Sequence, residues 1–532
     1  MGRRRQLTVA DTVAQSVASA GVEVAFGHPG GEVVLLIDAL RRAGVPFVLT
    51  RHENTAAFMA AGYGELTGRP GVCIATLGPG ATNMVTGAAS ALLERAPLLL
   101  LTGALARSAP AGTTHQALDL NALYRPVTKL SVAVTIENAA AAIGDAIALA
   151  QTPPQGPVHL SVASDVAGSP ATRDHEAVPG ETARGPAPGK AAIATARALL
   201  ARSTRPAMVV GLGALRAEAA HEVRALARAT GAVVATLPKA KGSFPEDDPN
   251  FVGTLEMAGD DIVIEFLRRA DALILAGVDV VEFDKPWRLG APAIHVDSRP
   301  KQPGYWNAEV ELTGDIAQSL AAILPNGSRG EWTAEEIDAH RRALASHLRT
   351  RGGALQAWQV VEAIRASLPR ETIAACDVGA HKMLVGQAWP SYEPRTFFVA
   401  NGLSSMGYSV PVAAAARLAL PGRPVVSFVG DGGLGMYLGE LETLRRVELD
   451  LPIVVFVDGT LELIRRAQVR RGLPGVGTSF SNPDFAALGR AFGIQTFRAS
   501  SDRELQAVLP AMLRTSGVRL LAAEVDGNDY RF

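Results

Sequence analysis

The stretch PVVSFVGDGG carries Asp431 in a glycine turn, and Asp458 follows 27 positions later in PIVVFVDGT. Between them lies LGMYLGELETLRRVEL, a run of helical length. One strand–helix–strand unit of that size returns both carboxylates to the same edge of a sheet. Two carboxylates so placed hold a hard divalent cation through oxygen, and glycines let backbone N–H groups approach a phosphate. GDGG alone is equally a tight turn; the pair of acids is what points to a diphosphate bridged by Mg2+. A third carboxylate, Glu53, stands where the apolar run PFVLT passes through Arg51 and His52 into AAFMAAGYGELTG, which reads as an amphipathic helix. An acid at that junction also fits the simpler role of favouring a helix N-terminus. TLGPGATN, Thr76 to Asn83, is another glycine turn opening a helix, suited to contact with an anion or a backbone.

Residues placed in this way need strand ends to stand on, and the chain supplies them in series. PFVLT, GVCIATL and APLLLLTG alternate with helical stretches in the first third, PAMVVG, GAVVATL, ADALILAG and PAIHVD in the middle, and ETIAACD, PVVSFVGD and LPIVVFVD in the last. Strands apolar on both faces with helices between them predict parallel sheets covered on both sides. The fold class expected is therefore α/β, as three doubly wound parallel-sheet domains. Asp165 to Lys190, rich in Pro, Gly and charge, reads as a linker, and a second polar break covers Pro325 to Gly353, with EEIDAHRRALASHLR helical inside it. The domains expected are 1–165, 190–325 and 355–532.

Composition narrows the function classes. The 532 residues carry a net charge of −1 and 48% hydrophobic side chains, with no basic stripe and no apolar run near the roughly 20 residues that span a bilayer. Neither a nucleic-acid nor a membrane partner is expected. MGRRRQLTVADTV has a basic opening without an apolar region behind it, which disfavours a secretory signal. Two cysteines, Cys73 and Cys376, lie in strand-like runs and read as buried free thiols, so the expected compartment is the cytoplasm.

Taken together, FGHPGG, RHENTAAFMAAGYGELTG, TLGPGATN, RPVTK, DVGAHKM, NGLSSMGYSVPVAAAARLALPG and GDGG with its second acid resemble the thiamine-diphosphate family that includes acetolactate synthase, pyruvate oxidase and benzoylformate decarboxylase. The resemblance implies pyrimidine-binding, central and diphosphate-binding domains. It also implies a cofactor bound between the first domain of one subunit and the third of its partner, hence a homodimer or homotetramer. By the same resemblance Glu53 hydrogen-bonds the aminopyrimidine ring and favours the tautomer that activates the thiazolium. Ser404 and Met406 contact the pyrimidine, Met406 as an apolar wedge. His381 approaches the diphosphate beside Gly432 and Gly433, and Asp431, Asp458 and the Thr460 carbonyl bind Mg2+.

Asp458, where most of the family has Asn, is similar to the FAD-independent catabolic acetolactate synthases. So are TTHQALD, with His115 and Gln116 near the reacting carbons, SYEP at 391–394, and GVDVVEFDKPW at 277–287. FAD is accordingly not favoured, and the lone Gly211-Leu212-Gly213 turn is a weak dinucleotide motif. One stretch departs from the synthases: LELIRRAQVRRG brings Glu462, Arg465 and Arg466 where they carry large apolar groups. The charges either line the substrate pocket and change the second substrate or face solvent. The resemblance implies decarboxylation of a 2-oxo acid, pyruvate first, with carboligation to a second oxo compound. A simple 2-oxo-acid decarboxylase or a carboligase with another acceptor is the alternative, and a non-catalytic cofactor-binding homologue a remote one.

Overall fold

A computed structural model describes residues 6–171, 185–284, 286, 289–325, 330–350, 352 and 354–531. Three six-stranded sheets follow one another along the chain, and every strand pair in them is parallel. The first is built from β1 (Ala25–His28), β2 (Phe47–Leu49), β3 (Gly71–Ala75), β4 (Leu98–Ala104), β5 (Leu130–Val134) and β6 (Pro157–Ala163), in the order β2-β1-β3-β4-β6-β5. The central sheet uses β7 (Pro206–Val210), β8 (Val233–Thr236), β9 (Phe251–Thr254), β10 (Ala272–Ala276), β11 (Ala293–Asp297) and β12 (Val310–Thr313), ordered β12-β11-β10-β7-β8-β9. The third has β13 (Ile373–Cys376), β14 (Phe397–Val399), β15 (Val425–Gly430), β16 (Leu451–Val457), β17 (Gln495–Ala499) and β18 (Val518–Glu524), ordered β14-β13-β15-β16-β18-β17. This is the α/β architecture of three doubly wound sheets that the alternation of elements predicts.

Inner strands such as β3, β7, β10 and β13 are buried at every residue, because helices cover both faces. In each sheet the winding reverses near the middle: between β1 and β3, between β7 and β10, and between β13 and β15. Such reversals open a crevice beyond the carboxyl ends of the strands, where ligands of doubly wound sheets bind. The three glycine turns of the sequence lie at these three reversals.

By contacts the described chain groups into two units. One holds the first sheet together with residues 403–422 and 437–449; the other holds the central and third sheets. Within the first unit the helix Glu53–Thr67 departs from the amphipathic pattern read from its sequence: every residue from Glu53 to Leu66 is buried. Its Ala and Gly positions let neighbours approach from all sides. A Cβ on Gly62 would lie 2.8 Å from Val412 Cγ2 of the helix Ser409–Ala419, and one on Gly64 would lie 2.3 Å from the Pro97 carbonyl oxygen. Gly68 then ends the helix in the left-handed conformation, φ 72°, which a side chain would strain.

Residues 172–184, most of the expected linker, lie outside the described residues, as do 326–329, 351 and 353 of the second polar break and Lys285 and Trp287 of GVDVVEFDKPW. The linker's first residues are ordered, in the short helix Ser164–Gly168 and a bridge between Thr8 and Pro170. The helix expected in the second break runs Ala334–Leu348 behind a Thr333–Glu336 capping box. Both cysteines are buried free thiols.

Candidate active site

At the first reversal Glu53 opens its helix immediately beyond β2, and His52 caps the helix by accepting from the Asn54 N–H at 3.1 Å. The Arg51 and His52 N–H groups, left over by the strand, donate to the Glu440 carboxylate at 2.9 to 3.2 Å. Glu53 is buried, and its Oε2 accepts from Asn83 Nδ2 at 2.9 Å. No cation among the described residues pairs with it. The turn Thr76–Asn83 wraps this carboxylate, since a Cβ on Gly80 would stand 3.4 Å from Glu53 Oε1. Gln116, from a separate loop, packs against this turn, 2.9 Å from where a Gly78 Cβ would be, and has φ 56°. His115 beside it is exposed. Glu53 and Gln116 are thus brought to one loop, whereas nothing ties His115 to it.

Ser404 takes φ 53° and is exposed; Met406 is half-buried. The turn that carries them ends at Gly407, which packs on the ring of Tyr437, and the Tyr437 hydroxyl accepts from Asn54 Nδ2 at 2.7 Å. The Met406 turn and the start of the Glu53 helix therefore share one network.

At the third sheet's reversal Asp431 ends β15 and Asp458 ends β16. Asp431 Oδ2 accepts from the N–H groups of Asp458 (3.0 Å) and Gly459 (2.8 Å) and from Asn482 Nδ2 (2.7 Å). Oδ1 accepts from the Gly432 N–H at 2.8 Å. Asp458 Oδ1 accepts from the N–H and hydroxyl of Thr460 at 2.9 and 3.2 Å. Burial, joined by the Asp431 charge, pushes the Asp458 carboxyl up to about 6. Two facing carboxylates with only neutral donors have their charge uncompensated, and a divalent oxygen-seeking cation relieves that.

Gly433 is needed for space: a Cβ there would lie 2.0 Å from Asp377 Oδ2. His381, stacked on Phe456, is buried, and burial pulls its pKa down to about 3, so the ring is neutral. Its Nε2 and the Tyr530 hydroxyl are buried polar atoms without a partner. Unpaired groups of this kind call for a polar ligand. The donor set, the neutral imidazole and the glycine turn fit a cation-bridged diphosphate.

Several residues here escaped the sequence reading. Asn83 ends the short helix Pro79–Asn83 of the TLGPGATN turn, which the sequence marked only as a whole. Asn482 sits in a polar loop with nothing local to mark it, and Glu440 lies nearly 390 residues from the N–H groups it caps. Arg465 and Arg466 are partly exposed, and both are bound to the buried Glu462.

The central sheet's turn does not fit a dinucleotide. Glu282 Oε2 accepts from the Leu212 N–H at 2.8 Å, the donor that a pyrophosphate at this turn would use. Asp279, which pairs with Arg299 at 2.9 Å, and Asp297 are buried alongside.

Three family models match the chain: the N-terminal thiamine pyrophosphate binding domain over residues 7–123, the central domain over 193–323 and the C-terminal binding domain over 377–523. The large subunit of acetolactate synthase isozyme 1 of Escherichia coli is 30% identical, with 99% of this chain and 95% of that protein covered. The catabolic acetolactate synthase of Raoultella terrigena is also 30% identical, over 98% and 95%. A probable 2-ketoarginine decarboxylase of Pseudomonas aeruginosa is 31% identical, over 98% and 94%. The chain belongs to the thiamine pyrophosphate enzymes, among the acetolactate-synthase-like members.

Proposed function

We propose that the chain decarboxylates a 2-oxo acid, pyruvate in the first instance, and joins the resulting unit to a second oxo compound, with thiamine diphosphate and Mg2+ bound. The observation that carries the reading is the buried Glu53 carboxylate at the sheet reversal, held by a neutral amide and wrapped by a glycine turn. Thiamine diphosphate supplies the ring that takes up the electrons released on decarboxylation.

The protein's own part is to bind and to move protons. Glu53 hydrogen-bonds the aminopyrimidine and controls its proton, and Ser404 and Met406 position that ring. Asp431, Asp458 and the Thr460 carbonyl hold Mg2+, with His381, Gly432 and Gly433 against the diphosphate. Gln116 and His115 face the reacting carbons. Burial around Glu53 keeps water away, which carboligation requires if the product is not to leave as an aldehyde. The enzyme is a cytoplasmic homodimer or homotetramer in this reading. No helix among the described residues is long and apolar enough to cross a membrane.

A second reading, decarboxylation without carboligation of a 2-oxo acid bearing a cation, is favoured by Glu32. This half-buried acid accepts from the Thr76 hydroxyl at the edge that carries Glu53, and no cation among the described residues pairs with it. The 2-ketoarginine decarboxylase relative points the same way. Incubating the protein with thiamine diphosphate, Mg2+ and either pyruvate or a guanidino 2-oxo acid separates the two. A 2-hydroxy-3-oxo acid from pyruvate supports the first reading and a free aldehyde from the guanidino acid supports the second. No consumption of either overturns both.

A further inference from the structure

The helix Glu462–Arg470 starts two residues after Thr460. Glu462 is buried, its side chain 2% exposed, and two guanidinium groups close on it. Arg465 Nε and Nη2 donate to its carboxylate at 2.6 and 2.7 Å, and Arg466 Nε donates at 2.6 Å. Each arginine also reaches the end of the chain. Arg466 Nη1 donates to the Tyr530 carbonyl at 2.6 Å and Nη2 to that of Gly527 at 2.9 Å, while Arg465 Nη2 donates to Asn528 Oδ1 at 2.6 Å.

These contacts hold the turn Gly527–Asp529 against the acid loop of the third sheet. A Cβ on Gly527 would stand 3.4 Å from Thr460 Oγ1 and 3.6 Å from Asp458 Cβ. The Thr460 hydroxyl, 3.2 Å from Asp458 Oδ1, also lies 3.4 Å from Glu462 Oε2, and its one proton is shared between the two. The same segment brings in Tyr530, whose buried hydroxyl has no partner. A carboxylate as buried as Glu462 is tolerated because two charges and their further hydrogen bonds satisfy it; removing one arm leaves charge uncompensated.

We propose that Glu462, Arg465 and Arg466 are positioning residues for the cation site, fastening residues 526–530 across Asp458–Thr460 so that the last turn of the chain and the divalent cation are ordered together. The inference rests on the proposed binding of Mg2+ by Asp431 and Asp458. Coupling of this kind is reciprocal: whatever cation binding does for the tail, loosening the tail undoes for the cation by the same factor. Partners one step removed from a metal typically change its affinity by about 10- to 100-fold when lost.

The experiment compares wild type, Arg466→Ala, Arg466→Lys and Arg465→Ala. Calorimetry reads the Mg2+ concentration that half-saturates thiamine diphosphate binding, and hydrogen exchange reads residues 526–531 with and without Mg2+ and cofactor. Arg466→Ala is expected to raise the Mg2+ requirement about tenfold or more and to speed exchange at 526–531. Arg466→Lys recovers part of the loss, and Arg465→Ala, which leaves both carbonyl contacts in place, shows a smaller shift. In wild type, Mg2+ with cofactor is expected to slow exchange at 526–531, a result that decides the matter even if Arg466→Ala does not fold. An unchanged Mg2+ requirement in a folded Arg466→Ala, or wild-type exchange at 526–531 that ignores Mg2+, overturns the inference. Cofactor binding by wild type that needs no Mg2+ overturns the cation reading beneath it and the inference together, and is seen before any variant is made.

Discussion

At the reversal of the central sheet Asp279, Glu282 and Asp297 gather round the Gly211 turn; at that of the third sheet Asp431 and Asp458 gather round the Gly430 turn. Both sheets are parallel and differ in strand order, and the acids at their edges are used in different ways. In the central sheet the chain supplies a cation to one acid and a backbone donor to another, although Glu282 Oε1 is left without a partner among the described residues. Arg299 donates to Asp279 at 2.9 Å, Glu282 takes the Leu212 N–H, and burial pushes the Glu282 and Asp297 carboxyls up to about 8 and about 6. In the third sheet Asp431 receives three neutral donors on one oxygen, and no salt bridge among the described residues reaches Asp431 or Asp458. What separates the two edges is direct pairing: an arginine reaches Asp279 at the central edge, whereas only neutral donors reach Asp431 and Asp458.

The largest expected effect tests that difference directly. Asp431→Ala is expected to abolish Mg2+-dependent binding of thiamine diphosphate in calorimetric titration, because no neighbouring group replaces the carboxylate. Asp458→Asn, which keeps an oxygen ligand and removes the like-charge repulsion, retains binding. Asp297→Asn at the central edge leaves affinity within about twofold, as expected for a site distant from the change. Unchanged affinity in Asp431→Ala would remove the basis for the comparison.

Next in size is Glu53→Gln. The amide keeps the shape and the contact with Asn83 but cannot control the aminopyrimidine proton. Turnover of any accepted 2-oxo acid is expected to fall on the order of 10²–10⁴-fold with circular dichroism unchanged. Near wild-type rates would return Glu53 to the simpler role of a helix-start acid.

How much of this was legible in the sequence depends on whether the cause was local. Asp431, Asp458 and Glu53 stood out because strand, glycine turn and helix are encoded within a few residues, and the 27-residue spacing of the two aspartates is one βαβ unit. The three sheets were legible for the same reason. The helix Glu53–Thr67 was misread as amphipathic because what covers its outer side comes from residues 409–419, over 340 positions away. Arg465 and Arg466 stayed ambiguous until the last turn of the chain was placed beside them. Asn482 serves Asp431 across 51 positions from a polar turn that looks like any other loop.

The central edge makes a further claim about cofactors. With the Leu212 N–H occupied by Glu282, this turn does not offer a flavin's pyrophosphate that donor. Purified protein is expected to be colourless and active without added FAD. Yellow protein with stoichiometric flavin by absorbance would show that this edge is open after all.

The smallest effect is a pH dependence that belongs to the central edge alone. Glu282 is fully buried, and its carboxyl is pushed up to about 8, chiefly by burial. Its unfolded value lies near the ordinary 4.3, so between these limits the folded chain holds a proton that the unfolded chain has lost. The stability this gives is complete below the unfolded value, falls as pH rises, and is lost by about pH 8. Between pH 6.5 and 8 His159 and His381, whose pKa values are pulled down to about 3 by burial, stay neutral in the folded chain but still bind protons in the unfolded chain near pH 6.5. They therefore add a smaller slope of opposite sign that fades towards pH 8 and is common to wild type and variant. Over that window Glu282 accounts for at most about 2 kcal/mol, at roughly 1.4 kcal/mol per pH unit, or a few degrees in the unfolding midpoint. Scanning calorimetry of the cofactor-free protein should therefore show the midpoint dropping across the window. In Glu282→Gln, which still accepts from Leu212 but carries no proton to lose, that drop should be lost. An equal slope in both proteins would mean that Glu282 is already ionised and that the central edge carries an uncompensated charge like the third.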